Sequence, residues 1–113
     1  MKIVIAYIKP EMLSDVVYAL HGLEGLRGAS ICDGRGFGAW RLDESPEAVQ
    51  REPGNFRPHA RIEIACSDNM TAEVMKTICE SARTGMPGDG LVFSIDADIC
   101  VRICTGEPDA EIR

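Results

Sequence analysis

"KIVIAYIKPEMLSDVVYAL" (residues 2–20) decides the fold class. Its first seven residues are apolar almost throughout and rich in β-branched side chains, which suits a strand with both faces covered or nearly so. Pro10 then opens a predicted helix, because the first helical position needs no amide hydrogen. Met12, Leu13, Val16, Val17 and Leu20 recur at helical spacing and define one apolar face. Gly22 and Gly25 end that helix.

The pattern then repeats. "GASICDGRGFG" (28–38) reads as a second strand frayed by glycine. "HARIEIAC" (59–66) is a third strand, alternating from Arg61 onward. "SDNMTAEVMKTICESAR" is a second helix, capped by Ser67 or Asp68, with Val74, Met75, Ile78, Cys79 and Ala82 as its apolar stripe. "LVFSIDADICVRIC" (91–104) is one long strand or two short ones. The order β-α-β, long loop, β-α-β predicts an α+β domain of the ferredoxin-like βαββαβ arrangement with right-handed crossovers. Such a sheet carries two helices on one face. Its bare face favours oligomerisation, since exposed apolar surface is costly.

Bulk properties narrow the function classes. At 113 residues the chain is expected to form one domain, 1–113. Residues 40–58 form a flexible loop in this reading, with mixed charge, Pro46, Pro53 and Gly54. A frayed tail follows from about 106 to 113. The net charge of −6 disfavours nonspecific binding to nucleic acid or anionic lipid. The longest apolar run, "IVIAYI", is far short of the roughly 20 residues a spanning helix needs. The N-terminus lacks a signal-peptide pattern, and the five cysteines form no CxxC pair. These features predict a cytoplasmic protein with reduced thiols.

"TGMPGDG" (84–90) packs three glycines, a proline and an acid between the second helix and the last strand. Glycines let successive amides turn toward phosphate oxygens. They equally suit a helix C-cap and a turn. The stretch alone leaves both readings open.

"IKPEMLSDVVYAL", "RGFG", "ARIEI", "ARTGMPGDG" and "VRICTGE" occur in that order across nearly the whole chain. In this combination the sequence resembles the PII signal-transduction proteins. The resemblance implies a homotrimer with a mobile T-loop between strands 2 and 3. It implies adenine-nucleotide binding in the clefts between subunits. It further implies regulation of a target protein, a membrane transporter or a metabolic enzyme, without catalysis. Nitrogen control and bicarbonate or metal transport are the associated pathways. Position by position, Gly36 and Gly38 match glycines at the loop base, and Ser30 a hydroxyl near the adenine. Gly88, Asp89 and Gly90 match the phosphate-side loop, and Arg102 matches the first of two phosphate arginines.

The departures are equally specific. Leu91 stands where the family has a phosphate-binding lysine, and Cys104 replaces the second arginine. His59 replaces a lysine, Ala39 a common basic residue, and Trp40 the glutamine that helps hold 2-oxoglutarate and the metal with ATP. The loop has no tyrosine to accept uridylylation. Losing two charge-assisted phosphate contacts costs roughly 3–6 kcal/mol. ADP or AMP therefore suits the remaining charges better than ATP, unless Arg41, Arg51 or Arg57 compensates.

Other chemistries are weaker. On a strand, Cys100, Arg102 and Cys104 share one side, and residues four apart lie roughly 13 Å from each other. That is too far for an intrachain disulfide or one zinc ion, so no metal site is predicted within one chain. A metal or redox sensor on the same trimeric scaffold, using Cys and His from several subunits, is the alternative function. Cys66 and Cys79 are expected in the core. Trp40 either stacks on a base, plugs the cleft or packs on a neighbouring subunit. His59 is a ligand group, a pH switch or a surface residue, and His21 a capping cation or an exposed one. No nucleophile–base–orienter set accompanies Asp89 or His59, so an enzyme is not expected.

Overall fold

The computed structural model describes residues 1–37 and 56–108. Strand β1 (Lys2–Ile8) leads through a 3₁₀ turn at Pro10–Met12 into helix α1 (Leu13–His21). Strand β2 (Ser30–Gly36) and strand β3 (Arg57–Cys66) follow, then helix α2 (Asp68–Ala82) and strand β4 (Gly90–Asp96). The sheet is antiparallel throughout, in the order β2-β3-β1-β4. This is the ferredoxin-like α+β arrangement. Pro10 opens the first helical turn, and Gly22 caps α1, donating to Ala19 and Leu20 carbonyls. Ser67 caps α2 by position, but its hydroxyl donates to the Asn69 side-chain oxygen and caps no backbone amide. Asp68 instead pairs with the Met1 ammonium at 2.8 Å.

β1 is central, pairing from Lys2↔Cys66 to Ile8↔Ala60 on one side and from Lys2↔Asp96 to Ile8↔Gly90 on the other. Strand parity then sorts the side chains. Val4, Ala6, Ile8, Ala60, Ile62, Ile64 and Cys66 form the core with Val16 and Leu20 of α1 and Val74, Ile78 and Ala82 of α2. Residues of the other parity form the open face, where Leu91, Phe93 and Ile95 stay 40%, 36% and 45% exposed.

Three expectations are corrected. Cys79 is exposed, not part of the core stripe; Thr71 is buried on α2 instead, its hydroxyl 3.6 Å from the Cys66 thiol. β3 starts at Arg57, two residues before the predicted strand, because Arg57 and Pro58 still pair with Gly36 and Arg35. The final strand stops at Asp96. Beyond the Lys2↔Asp96 pair, Ala97 N–H still reaches the Met1 carbonyl, and the ladder with β1 then runs out. Residues 101–108 turn back on themselves through a Val101↔Pro108 bridge, with Gly106 N–H donating to the Arg102 carbonyl at 2.8 Å.

Gly90, the first residue of β4, has φ of +103°, and a Cβ there would sit 1.8 Å from the Tyr7 carbonyl oxygen. Gly90→Ala must therefore push β4 off β1, at a cost of at least about 2–3 kcal/mol. Gly85 has φ of +82° but open space around it, so Gly85→Ala should cost only about 1–2 kcal/mol. Urea unfolding of the two variants checks this order.

Candidate functional site

The glycine stretch folds around one carboxylate. Thr84 N–H donates to Asp89 Oδ2 at 2.9 Å and Gly85 N–H to the same oxygen at 3.3 Å, while the Thr84 hydroxyl donates to Oδ1. Lys9, just past β1, brings its ammonium to 3.3 Å from Asp89 Oδ1 and 3.3 Å from the Thr84 hydroxyl. Met86 N–H donates to that hydroxyl at 3.1 Å. Pro87 and Gly88 then form a turn, with φ of +87° at Gly88. Proline followed by a positive-φ glycine is the pattern of a type II turn. The carboxylate of Asp89 is thus consumed inside the loop. Gly88 is buried, and its amide meets no acceptor among the described residues.

Beside this loop a cavity of about 170 Å³ opens between the end of α2, β1 and β4, lined by Ile78, Cys79, Arg83 and Leu91 among others. Leu91 directly follows the loop and pairs with Tyr7. It brings apolar surface where a lysine would bring charge.

The same end of the sheet gathers further groups. His59 packs edge-on against Tyr7, ring centroids 5.1 Å apart. It also lies over Gly34, where a Cβ would meet its Nε2 at 2.7 Å. The Arg61 guanidinium sits 5.7 Å from the Tyr7 ring centroid and 2.8 Å from Glu63. Gly36 ends β2 opposite Arg57, where the Phe37 and Phe56 rings stack 5.5 Å apart. Sequence reasoning missed Lys9, Tyr7, Arg61 and Glu63. The alternation in "HARIEI" and the lysine in "IKP" carried the signal, but neither says which partner the side chain meets.

The remaining sequence-predicted residues lie elsewhere. Arg102 and Cys104 are exposed in the turn beyond β4. They do not alternate along a regular strand with Cys100, as the sequence pattern suggests, because among the described residues that segment joins no strand and only bridges back on itself at Val101↔Pro108. Gly90 and Asp96 lie at opposite ends of β4, six residue steps or about 20 Å apart. Ser30 pairs with Glu63 on β2, at the opposite edge from β4; three strand spacings are about 14 Å. One chain therefore places the glycine loop and Ser30 at opposite edges of the sheet, and Arg102 in the turn that follows the far end of β4 in the chain. Gly38, Trp40 and Arg41, and the T-loop through residue 55, lie outside the described residues, as does the tail from 109.

All five cysteines are free thiols. Among the described residues no group of three His, Cys, Asp or Glu side chains is placed to hold a metal ion. No described helix is long and apolar enough to cross a membrane.

Partial burial pushes the Asp89 carboxyl upward, but hydrogen bonds from Thr84, Lys9 and Gly85 outweigh it and hold it below its ordinary value of 3.8. A carboxyl depressed in the folded state contributes stability above its unfolded value, which is lost as pH falls through the folded one. Asp89→Asn should thus lower stability near neutral pH by about 1–2 kcal/mol. The gap to wild type should close as the pH drops below the ordinary carboxylate range. Urea unfolding as a function of pH measures it.

Residues 1–107 match the protein family described as nitrogen regulatory protein P-II. The chain is 36% identical to a nitrogen regulatory protein P-II of Rhizobium etli, with 98% of each chain covered. It is 34% identical to nitrogen regulatory protein GlnK of Escherichia coli K12, over 96% of each. It is 33% identical to a P-II protein of Azospirillum brasilense, over 95% of each. A family match over nearly the whole length, joined to the ferredoxin-like sheet and its glycine loop, leads to one conclusion: this chain belongs to the P-II family of nitrogen regulatory proteins.

Proposed function

We propose that the protein is a divergent, cytoplasmic PII regulator that works as a homotrimer without catalysing a reaction. In this reading it binds an adenine nucleotide, ADP or AMP in preference to ATP, in clefts between subunits. The occupied cleft orders the T-loop, which selects a target protein such as a transporter or a metabolic enzyme.

The separation of the site residues carries this reading. The loop around Gly88, Asp89 and Gly90 and the turn bearing Arg102 lie beyond opposite ends of β4. In this reading a second copy supplies one of them to each ligand. The apolar open face, with Leu91, Phe93 and Ile95 half exposed, supports such association. Closed point-group symmetry then makes every cleft alike.

The phosphate preference follows from Leu91 and Cys104. Neither brings charge, and Lys9 is already paired with Asp89. Trp40, in place of a glutamine, removes the support for 2-oxoglutarate. Gly36, Gly38, Arg41 and His59 are assigned to the loop-base side of the cleft, Ser30 to the adenine side, and Arg102 to the phosphates.

Light scattering should give a trimer at micromolar concentration; a monomer contradicts the cleft model. Calorimetry should show ADP or AMP binding at least as tightly as ATP, with no gain from 2-oxoglutarate. Arg102→Ala should weaken binding by roughly 1.5–3 kcal/mol while the oligomer persists. Unchanged affinity for every nucleotide removes Arg102 from the site.

A further inference from the structure

The glycine loop carries a negative charge of its own. Asp89 is only 26% exposed and lies next to Gly88 and Gly90, the residues assigned to phosphate. A bare carboxylate there repels an approaching polyphosphate. Lys9 reaches it from the end of β1, its side chain 16% exposed, 3.3 Å from Asp89 Oδ1 and 3.3 Å from the Thr84 hydroxyl. Arg83 lines the same cavity, yet no ion pair joins it to Asp89 among the described residues. Lys9 thus combines two effects. It helps hold the loop's shape, and it cancels the loop's charge where an anion arrives.

We infer that Lys9 is a positioning residue for the anion site, neutralising Asp89 so that the loop admits phosphate and setting how many phosphate charges it tolerates. The inference rests on the anion-binding reading above. It differs from a purely structural role in one respect. Losing a hydrogen bond weakens all ligands alike, whereas exposing a carboxylate penalises each added negative charge separately. For charges about 6 Å apart and fully screened by water the penalty is about threefold per unit of ligand charge, a lower bound that rises where the site excludes water.

The test measures AMP, ADP, ATP and inorganic pyrophosphate by calorimetry against wild type, Lys9→Gln, Lys9→Arg and Thr84→Val. Lys9→Gln should raise the Kd for AMP least and for ATP most, each added charge multiplying the loss by at least about three. Lys9→Arg should restore the wild-type order. Thr84→Val loosens the loop without changing charge, and should weaken all four anions by one common factor. A common factor for Lys9→Gln, or no change at all, overturns the inference. If pyrophosphate alone binds, losing more affinity in Lys9→Gln than in Thr84→Val and none in Lys9→Arg, the adenine reading fails and the role of Lys9 stands. If wild-type protein binds none of the four anions, both fall.

Discussion

Everything in this molecule depends on the pairing of β1 between β3 and β4. Val4, Ala6 and Ile8 of β1 face the helices, where Ile62 and Ile64 of β3 and Val74 and Ile78 of α2 close over them. A slip of one residue would turn that set outward and bring Ile3, Ile5 and Tyr7 inward. The helices lie on one side only, so the same register that buries the core also leaves Leu91, Phe93 and Ile95 facing outward beside Ile5 and Tyr7. One register therefore makes the core and a second apolar surface together.

The register also spreads the chemistry. Gly90 stands opposite Ile8, which brings the glycine loop to Lys9 and to the end of the sheet where Tyr7 and His59 meet. Asp96 stands opposite Lys2 at the far end, and the turn bearing Arg102 follows it in the chain. The seven residues of β4 separate its two ends by about 20 Å. The proposed division of each site between two subunits follows from this length. A regulator built so couples ligand binding to subunit contact, which a site contained in one chain does not require.

Most of the fold was legible because its signals are local. Seven apolar residues, a proline and a helical stripe mark β1 and α1, and "ARIEI" alternates as a half-covered strand should. Where the reading failed, a non-local partner decided. "DICVRIC" has strand-like alternation, yet β1 offers it no ladder beyond Ala97, so it turns back at Arg102–Gly106. Cys79 has the spacing of a core residue, but it lies at the edge of the α2 stripe, beside the cavity. The site was legible as residue types more than as contacts. Asp89 reads as an acid in a phosphate loop; only the fold shows its carboxylate held by Thr84, Gly85 and Lys9. Gly90 reads as a ligand glycine, while its close approach to the Tyr7 carbonyl is reason enough for it.

The central claim is that each site takes its glycine loop from one subunit and its Arg102 from another. Subunit complementation tests it most directly. Gly88→Val disables the loop, since Gly88 is buried at φ of +87°, and Arg102→Ala disables the other half. Each variant alone should bind ADP at least about tenfold more weakly than wild type in calorimetry. Mixed oligomers assembled from equal amounts of both should regain binding in roughly a quarter of their clefts, those that pair an intact loop with an intact arginine. If mixed oligomers bind no more ADP than the separate variants, the site is not shared between subunits and the account is wrong.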